Sequence, residues 1–205
     1  MSAPFFLQKV LKCLNVLSLS CTESRCCPIF THRFLHQACP GKMSVMKDRP
    51  IRKLAAVVAM DVVGFSHLIE EDEDATINAL RLTRYDILDP LIENYHGRIA
   101  NTAGDSVLIE FSSIVEAVRC SIAFQESVDV RVGETALTFR VGINLGDVVE
   151  NGTDLLGDGV NVAARIEALC APGGISLSDS AYRQVEKHRD WNWIDGGLQN
   201  VKNLA

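Results

Sequence analysis

Residues 54–60, LAAVVAM, form an unbroken apolar run of strand length, and an acid, Asp61, stands directly behind it. A run without alternation cannot keep one face in water. It therefore predicts a strand covered on both sides, with packed layers above and below. A chain of 205 residues, 47% hydrophobic and 22% charged, can supply one such layered domain. This composition excludes collagen-like, low-complexity and wholly disordered chains. The formal charge of −6 excludes a broad basic surface for nucleic acid.

The pattern that follows mixes helices with hairpins. Ile77, Leu80, Ile87, Leu88, Leu91 and Ile92 recur at helical spacing, with Pro90 expected to kink or restart the helix and His96-Gly97 to end it. RIANTAGDSVLIEF reads as two short strands about an Ala-Gly-Asp turn. A helix is predicted over residues 112–128, its start marked by Ser113 with Glu116 three positions later. ALTFRVGINLGDVVE reads as two strands around Gly146-Asp147, and residues 157–170 as a helix stopped by Pro172-Gly173-Gly174. A strand, a short helix and a last strand, WNWID, complete the order. Without strict βα alternation, the class is α+β: a mostly antiparallel sheet with helices packed on it. Neither common glycine-rich phosphate loop is present.

Residues 1–50 differ from the rest. Lys9, Lys12, Arg25, Arg33 and Lys42 outweigh Glu23 over residues 1–42, a net +4 that leaves −10 for the remainder. Five of the seven cysteines lie here, whereas Cys120 and Cys170 read as core thiols of a reduced, cytoplasmic domain. The apolar stretch near the start is broken by Lys9 and Lys12 and falls short of a membrane span, so no transmembrane segment is identified. Three readings stand for this head: a poor signal peptide, a Cys/His zinc patch, or translation beginning at Met43 or Met46. It is treated as an N-terminal extension, disordered or an artefact of the start site, whose removal should leave the domain of residues 51–205 active.

Three local constellations could carry chemistry. Asp61 follows the buried strand and Asp105 occupies the hairpin turn, so pairing of the hairpin beside that strand would bring both carboxylates to one sheet end. Mg²⁺ is commonly held by one or two carboxylates plus substrate phosphates. Alternatively, each acid simply caps a helix or makes a turn. Gly64 and Phe65 lie where strand gives way to helix, a place where backbone N–H groups can face an anion, or where Gly64 only relieves a tight turn. Asn161 and Arg165 share one helix face, where the guanidinium suits a phosphoryl group or pairs with Asp158 or Glu167.

From about Lys53 onward these segments resemble the class III nucleotidyl cyclase catalytic domain, in particular the bacterial adenylate cyclases. AMDVVGFS and RIANTAGDSVLIEF resemble the two metal motifs. FRVGINLGDVV and DLLGDGVNVAARIE resemble the substrate and transition-state segment, and LQNVKN the terminal lysine motif. The resemblance implies the ferredoxin-like fold of that family. It implies metal-binding roles for Asp61 and Asp105, purine-edge recognition by Asp154, and ribose and transition-state contacts by Asn161 and Arg165. Lys202 matches a lysine on the terminal phosphates. Two Mg²⁺ or Mn²⁺ ions per site and a homodimer with shared active sites, turning ATP into cyclic AMP, are implied likewise.

The chain departs from the family pattern at three places. Asn101 stands where adenylate cyclases of this class usually carry a base-binding lysine, Gly174 where some relatives have a phosphate-binding Arg, and a closing C-terminal strand is expected to be missing. An Asn amide can donate to adenine or, flipped, accept. Guanylate cyclase is therefore the enzymatic alternative. A degenerate nucleotide-binding or dimerisation module is the non-enzymatic one.

Overall fold

A computed structural model describes residues 7–11, 51–130, 136–188 and 190–198, with the backbone alone for 7–11, 129–130 and 198. Its elements in chain order are β1 (Leu7–Leu11), β2 (Arg52–Val62), α1 (Phe65–Glu71), α2 (Glu73–Thr83), a π-helical turn (Arg84–Leu88), α3 (Asp89–Asn94), β3 (Gly97–Ala103) and β4 (Ser106–Phe111). These are followed by α4 (Ile114–Val130), β5 (Phe139–Asn151), β6 (Asp154–Leu156), α5 (Asp158–Ala168), β7 (Ile175–Ser178), α6 (Asp179–Val185) and β8 (Trp193–Leu198).

One sheet collects the strands in the order β3-β4-β2-β5-β7-β1-β8, with β6 paired to β5. The pairs β2/β4, β2/β5, β3/β4 and β5/β6 are antiparallel. The pairs β5/β7, β1/β7 and β1/β8 are parallel. As the apolar run demands, residues 55–60 of β2 are buried without interruption. Ala56, Val58 and Met60 enter the larger core, which takes Phe124 from α4 and Ile92 from α3. Ala55, Val57 and Ala59 enter a smaller core closed by Ala163 of α5. The two faces thus have different covers, and among the described helices α5 supplies the residues of the second.

Local signals explain most boundaries. Asp72 Oδ1 accepts the Ala75 N–H at 3.0 Å and starts α2. Pro90 lies in the first turn of α3, immediately after the π-helical turn, as a helix-restarting proline should. His96 turns the chain with φ 57 before β3. Ser113 Oγ accepts the Glu116 N–H at 3.4 Å ahead of α4.

One boundary differs from the sequence reading. The strand expected to turn at Gly146-Asp147 runs on as thirteen residues of β5, because β2 pairs with it from Val62↔Phe139 to Arg52↔Val149. The left-handed φ that a tight hairpin needs occurs at Gly152 instead. Leu7–Leu11, within the segment set apart as an N-terminal extension, runs parallel between β7 and β8. The rest of residues 1–50, and the residues beyond Leu198 that bear on the closing strand expected to be missing, lie outside the described residues. Cys120 and Cys170 are buried free thiols, and burial pushes Cys120 up to about 12.

Candidate active site

The β3–β4 hairpin lies beside β2, and this register brings Asp61 and Asp105 to one sheet end. Asp61 Oδ1 accepts the Ser106 hydroxyl at 2.7 Å, and its Oδ2 accepts from Arg140 Nη2 at 3.2 Å. Asp105 Oδ2 accepts the Val62 N–H at 3.3 Å. Burial raises the Asp105 carboxyl above the usual carboxylate range. Asp61 raises it further by hydrogen bond and charge, against the pull of backbone N–H donors. A carboxylate raised by the charge of its neighbour forms with that neighbour a donor pair that a divalent cation relieves. Their chemistry fits Mg²⁺, which takes few protein oxygens and fills its shell from water and phosphates. Among the described residues no group of three or more His, Cys, Asp or Glu side chains is placed to hold a metal ion. A cation here would therefore draw its other ligands from elsewhere.

Gly64 precedes α1 with φ 68, the left-handed conformation that lets β2 turn sharply into a helix. The first intrahelical donors are His67 and Leu68, both bonding Gly64 O. That places the N–H groups of Phe65 and Ser66 at the open helix start. The Phe65 ring packs against the larger core and fixes the turn beside Asp61.

Helix α5 carries Asn161, exposed, and Arg165, half-buried. Its seat depends on Gly142. A Cβ there would stand 2.2 Å from Glu167 N and 2.4 Å from Ala163 O, so only glycine admits the helix backbone onto β5. Buried Asn144 donates to Gly159 O at 2.9 Å and pins the first turn. At the other end Glu167 Oε1 lies 3.0 Å from Arg140 Nε. Burial pushes the Glu167 carboxyl up to about 7. Arg140 opposes that rise, and the charges of Asp61 and Asp105 add to it.

Asp154 opens β6, and its Oδ1 accepts from Leu155 N–H at 2.8 Å and from Asn101 Nδ2 at 3.2 Å. The structure thus pairs Asn101 with Asp154 as it pairs Asp61 with Asp105. Lys202 lies outside the described residues. Arg140 and Ser106 escaped the sequence reading, and Glu167, read there only as a possible partner of Arg165, pairs with Arg140. The one visible trace was a lone Arg in the apolar strand pattern TFRVGI.

The sequence profile of the adenylate and guanylate cyclase catalytic domain matches residues 50–202. The chain belongs to this cyclase family. A Rhizobium meliloti protein named "Putative adenylate cyclase 3" is 43% identical over 162 residues, 77% of this chain and 28% of that protein. A Streptomyces coelicolor protein named adenylate cyclase is 31% identical over 137 residues, 65% of this chain and 34% of that one. This cyclase domain therefore spans about a third or less of those relatives. The crystal structure of an adenylate/guanylate cyclase/hydrolase from Silicibacter pomeroyi superposes with a TM-score of 0.71 at 37% identity, covering 77% of this chain and 94% of that chain. The α+β sheet described above is thus the cyclase fold. No helix among the described residues is long and apolar enough to cross a membrane.

Proposed function

We propose that the chain is an adenylate cyclase, converting ATP to 3′,5′-cyclic AMP and pyrophosphate in the cytoplasm. The carrying observation is the convergence of the Asp61 and Asp105 carboxylates beside the Gly64-Phe65 turn. Two Mg²⁺ or Mn²⁺ ions held by these carboxylates would activate the ribose 3′-hydroxyl and steady the leaving pyrophosphate. Asp61 is oriented by Ser106 and Arg140, so its oxygens are fixed before substrate arrives. The open start of α1 faces phosphate with N–H donors.

Asn161 orients the ribose. Arg165 offsets charge developing on the transferred phosphoryl group. Asp154 accepts from the exocyclic amine of adenine, and Asn101 donates to the ring. Lys202 contacts the terminal phosphates. These groups serve a site completed by the metal aspartates of a second copy, giving a homodimer with two equivalent shared sites. The catalytic domain occupies residues 51–205 and residues 1–50 form an extension to it.

One contact favours a second reading. Asn101 gives an amide N–H to Asp154, and its carbonyl oxygen can then accept the N1–H of guanine, as a guanylate cyclase would require. The test is product formation by the purified chain from ATP and GTP in parallel, with Mg²⁺ and with Mn²⁺. Cyclic AMP in excess supports the first reading and cyclic GMP the second. Binding of both nucleotides without product supports a nucleotide-binding module.

A further inference from the structure

Four charges alternate in sign across the sheet face beneath the β5–β6 hairpin. Lys53 Nζ pairs with Glu110 Oε1 at 2.5 Å and also with Glu150. Arg98 Nη2 lies 2.6 Å from Glu110 Oε2 and 3.4 Å from Glu150 Oε1. Glu110, only 8% exposed, is a carboxylate buried between two cations. Such an arrangement costs desolvation and contributes little net stability, so a positional role is the better account of it.

The position it controls is legible from the other arm of Arg98. Nη1 donates to Thr153 O at 2.7 Å. Thr153 follows the left-handed Gly152 and directly precedes Asp154, so this bond fixes the exposed tip of the hairpin from β3. Asn101, three residues further along β3, then meets Asp154 at 3.2 Å. One strand therefore holds both the clamp on the hairpin tip and the partner of the carboxylate at that tip. Glu110 stands opposite Arg98 in the β3/β4 ladder and keeps the guanidinium turned toward the hairpin.

We propose that Arg98 is a positioning residue for base discrimination, setting where the Asp154 carboxylate stands relative to Asn101 by clamping Thr153 from β3. The proposal rests on the reading that Asp154 meets the purine edge. The planar fork of arginine is essential, since one arm must hold Glu110 while the other holds the Thr153 carbonyl. Arg98→Lys keeps the charge toward Glu110 but cannot span both partners. Arg98→Gln loses the charge as well.

The experiment compares dissociation constants of the full-length protein for α,β-methylene-ATP and α,β-methylene-GTP, which cannot be cyclised, together with KM for ATP and GTP. Arg98→Gln should shrink the ratio between the two bases about tenfold, the scale of one charge-assisted hydrogen bond, with Arg98→Lys in between. Asp154→Ala should abolish the ratio, and adding Arg98→Gln to it should change nothing more. Weaker binding of both analogues by the same factor in Arg98→Gln, or an unaltered ratio, overturns the positioning proposal alone. A ratio that Asp154→Ala does not move, or a wild type without base preference, overturns the base-edge reading and this proposal with it. If Arg98→Gln does not fold, Arg98→Lys carries the same readout, and an unaltered ratio there is equally fatal.

Discussion

Arg140 and Asp61 face each other across the β2/β5 ladder, with Nη2 3.2 Å from Oδ2. The same guanidinium reaches Glu167 on α5 through Nε at 3.0 Å. One cation thus stands between a carboxylate of the candidate metal pair and the helix that carries Asn161 and Arg165. It stabilises the charge on Asp61 and keeps that side chain in place beside Asp105.

Asp61→Ala and Asp105→Ala are each expected to lower cyclic nucleotide formation by at least about a hundredfold. Both variants should stay folded, with Asp61→Ala lowering the melting temperature measured without metal more than Asp105→Ala, because it also loses the bonds to Ser106 and Arg140. Near-normal turnover with Mg²⁺ in either variant would remove these residues from the reaction.

Glu167 gives stability a pH dependence. Its folded-state value of about 7 lies above the ordinary glutamate value of 4.5. Between those values the folded chain binds more protons than the unfolded one. Stability from this group is therefore full below about 4.5 and lost as pH rises through about 7. Urea unfolding at pH 5 and pH 8 should show the decline, and Glu167→Gln should flatten it. Mg²⁺ should flatten it too, by offsetting the charges of Asp61 and Asp105.

Gly142→Ala is expected to cost about 2–3 kcal/mol or more, since a methyl there meets helix backbone rather than a yielding side chain. Urea denaturation measures the loss. Turnover of the folded fraction should fall as well, because α5 cannot keep its seat on β5.

The shared-site proposal predicts complementation. Asp105→Ala and Arg165→Ala chains are each inactive alone, but a mixed dimer holds one site with both lesions and one with neither. With random assortment at equal amounts, activity should return to about a quarter of wild type. Absence of recovery, with subunit exchange shown independently, would place each site within one chain.

Removal of residues 1–42 takes away β1, the strand between β7 and β8. The strands bearing the candidate site, β2 to β6, keep their neighbours, so turnover should persist. The β8 corner should loosen. The chain has two tryptophans, and Trp193 packs edge-on to Tyr182 and Trp191 with ring centroids 5.2 and 5.8 Å apart. Tryptophan fluorescence should therefore lose its urea transition early while far-ultraviolet circular dichroism keeps its main one. Coincident transitions would show that β8 does not depend on β1.

The sequence by itself determined the buried central strand and the mixed order of hairpins and helices. Each of these follows from residues near one another: an unbroken apolar run, a Gly-Asp turn, a proline in a helical pattern. Its error at Gly146 has the same origin. A glycine followed by an acid signals a turn locally, yet an eleven-residue partner strand held β5 extended through it. Only the tertiary structure decided which charges meet. Arg140 and Asp61 are 79 positions apart, and Arg98 and Thr153 are 55 apart. Such pairs have no periodicity to betray them, because strand register and the seating of α5, not spacing along the chain, bring their side chains within reach.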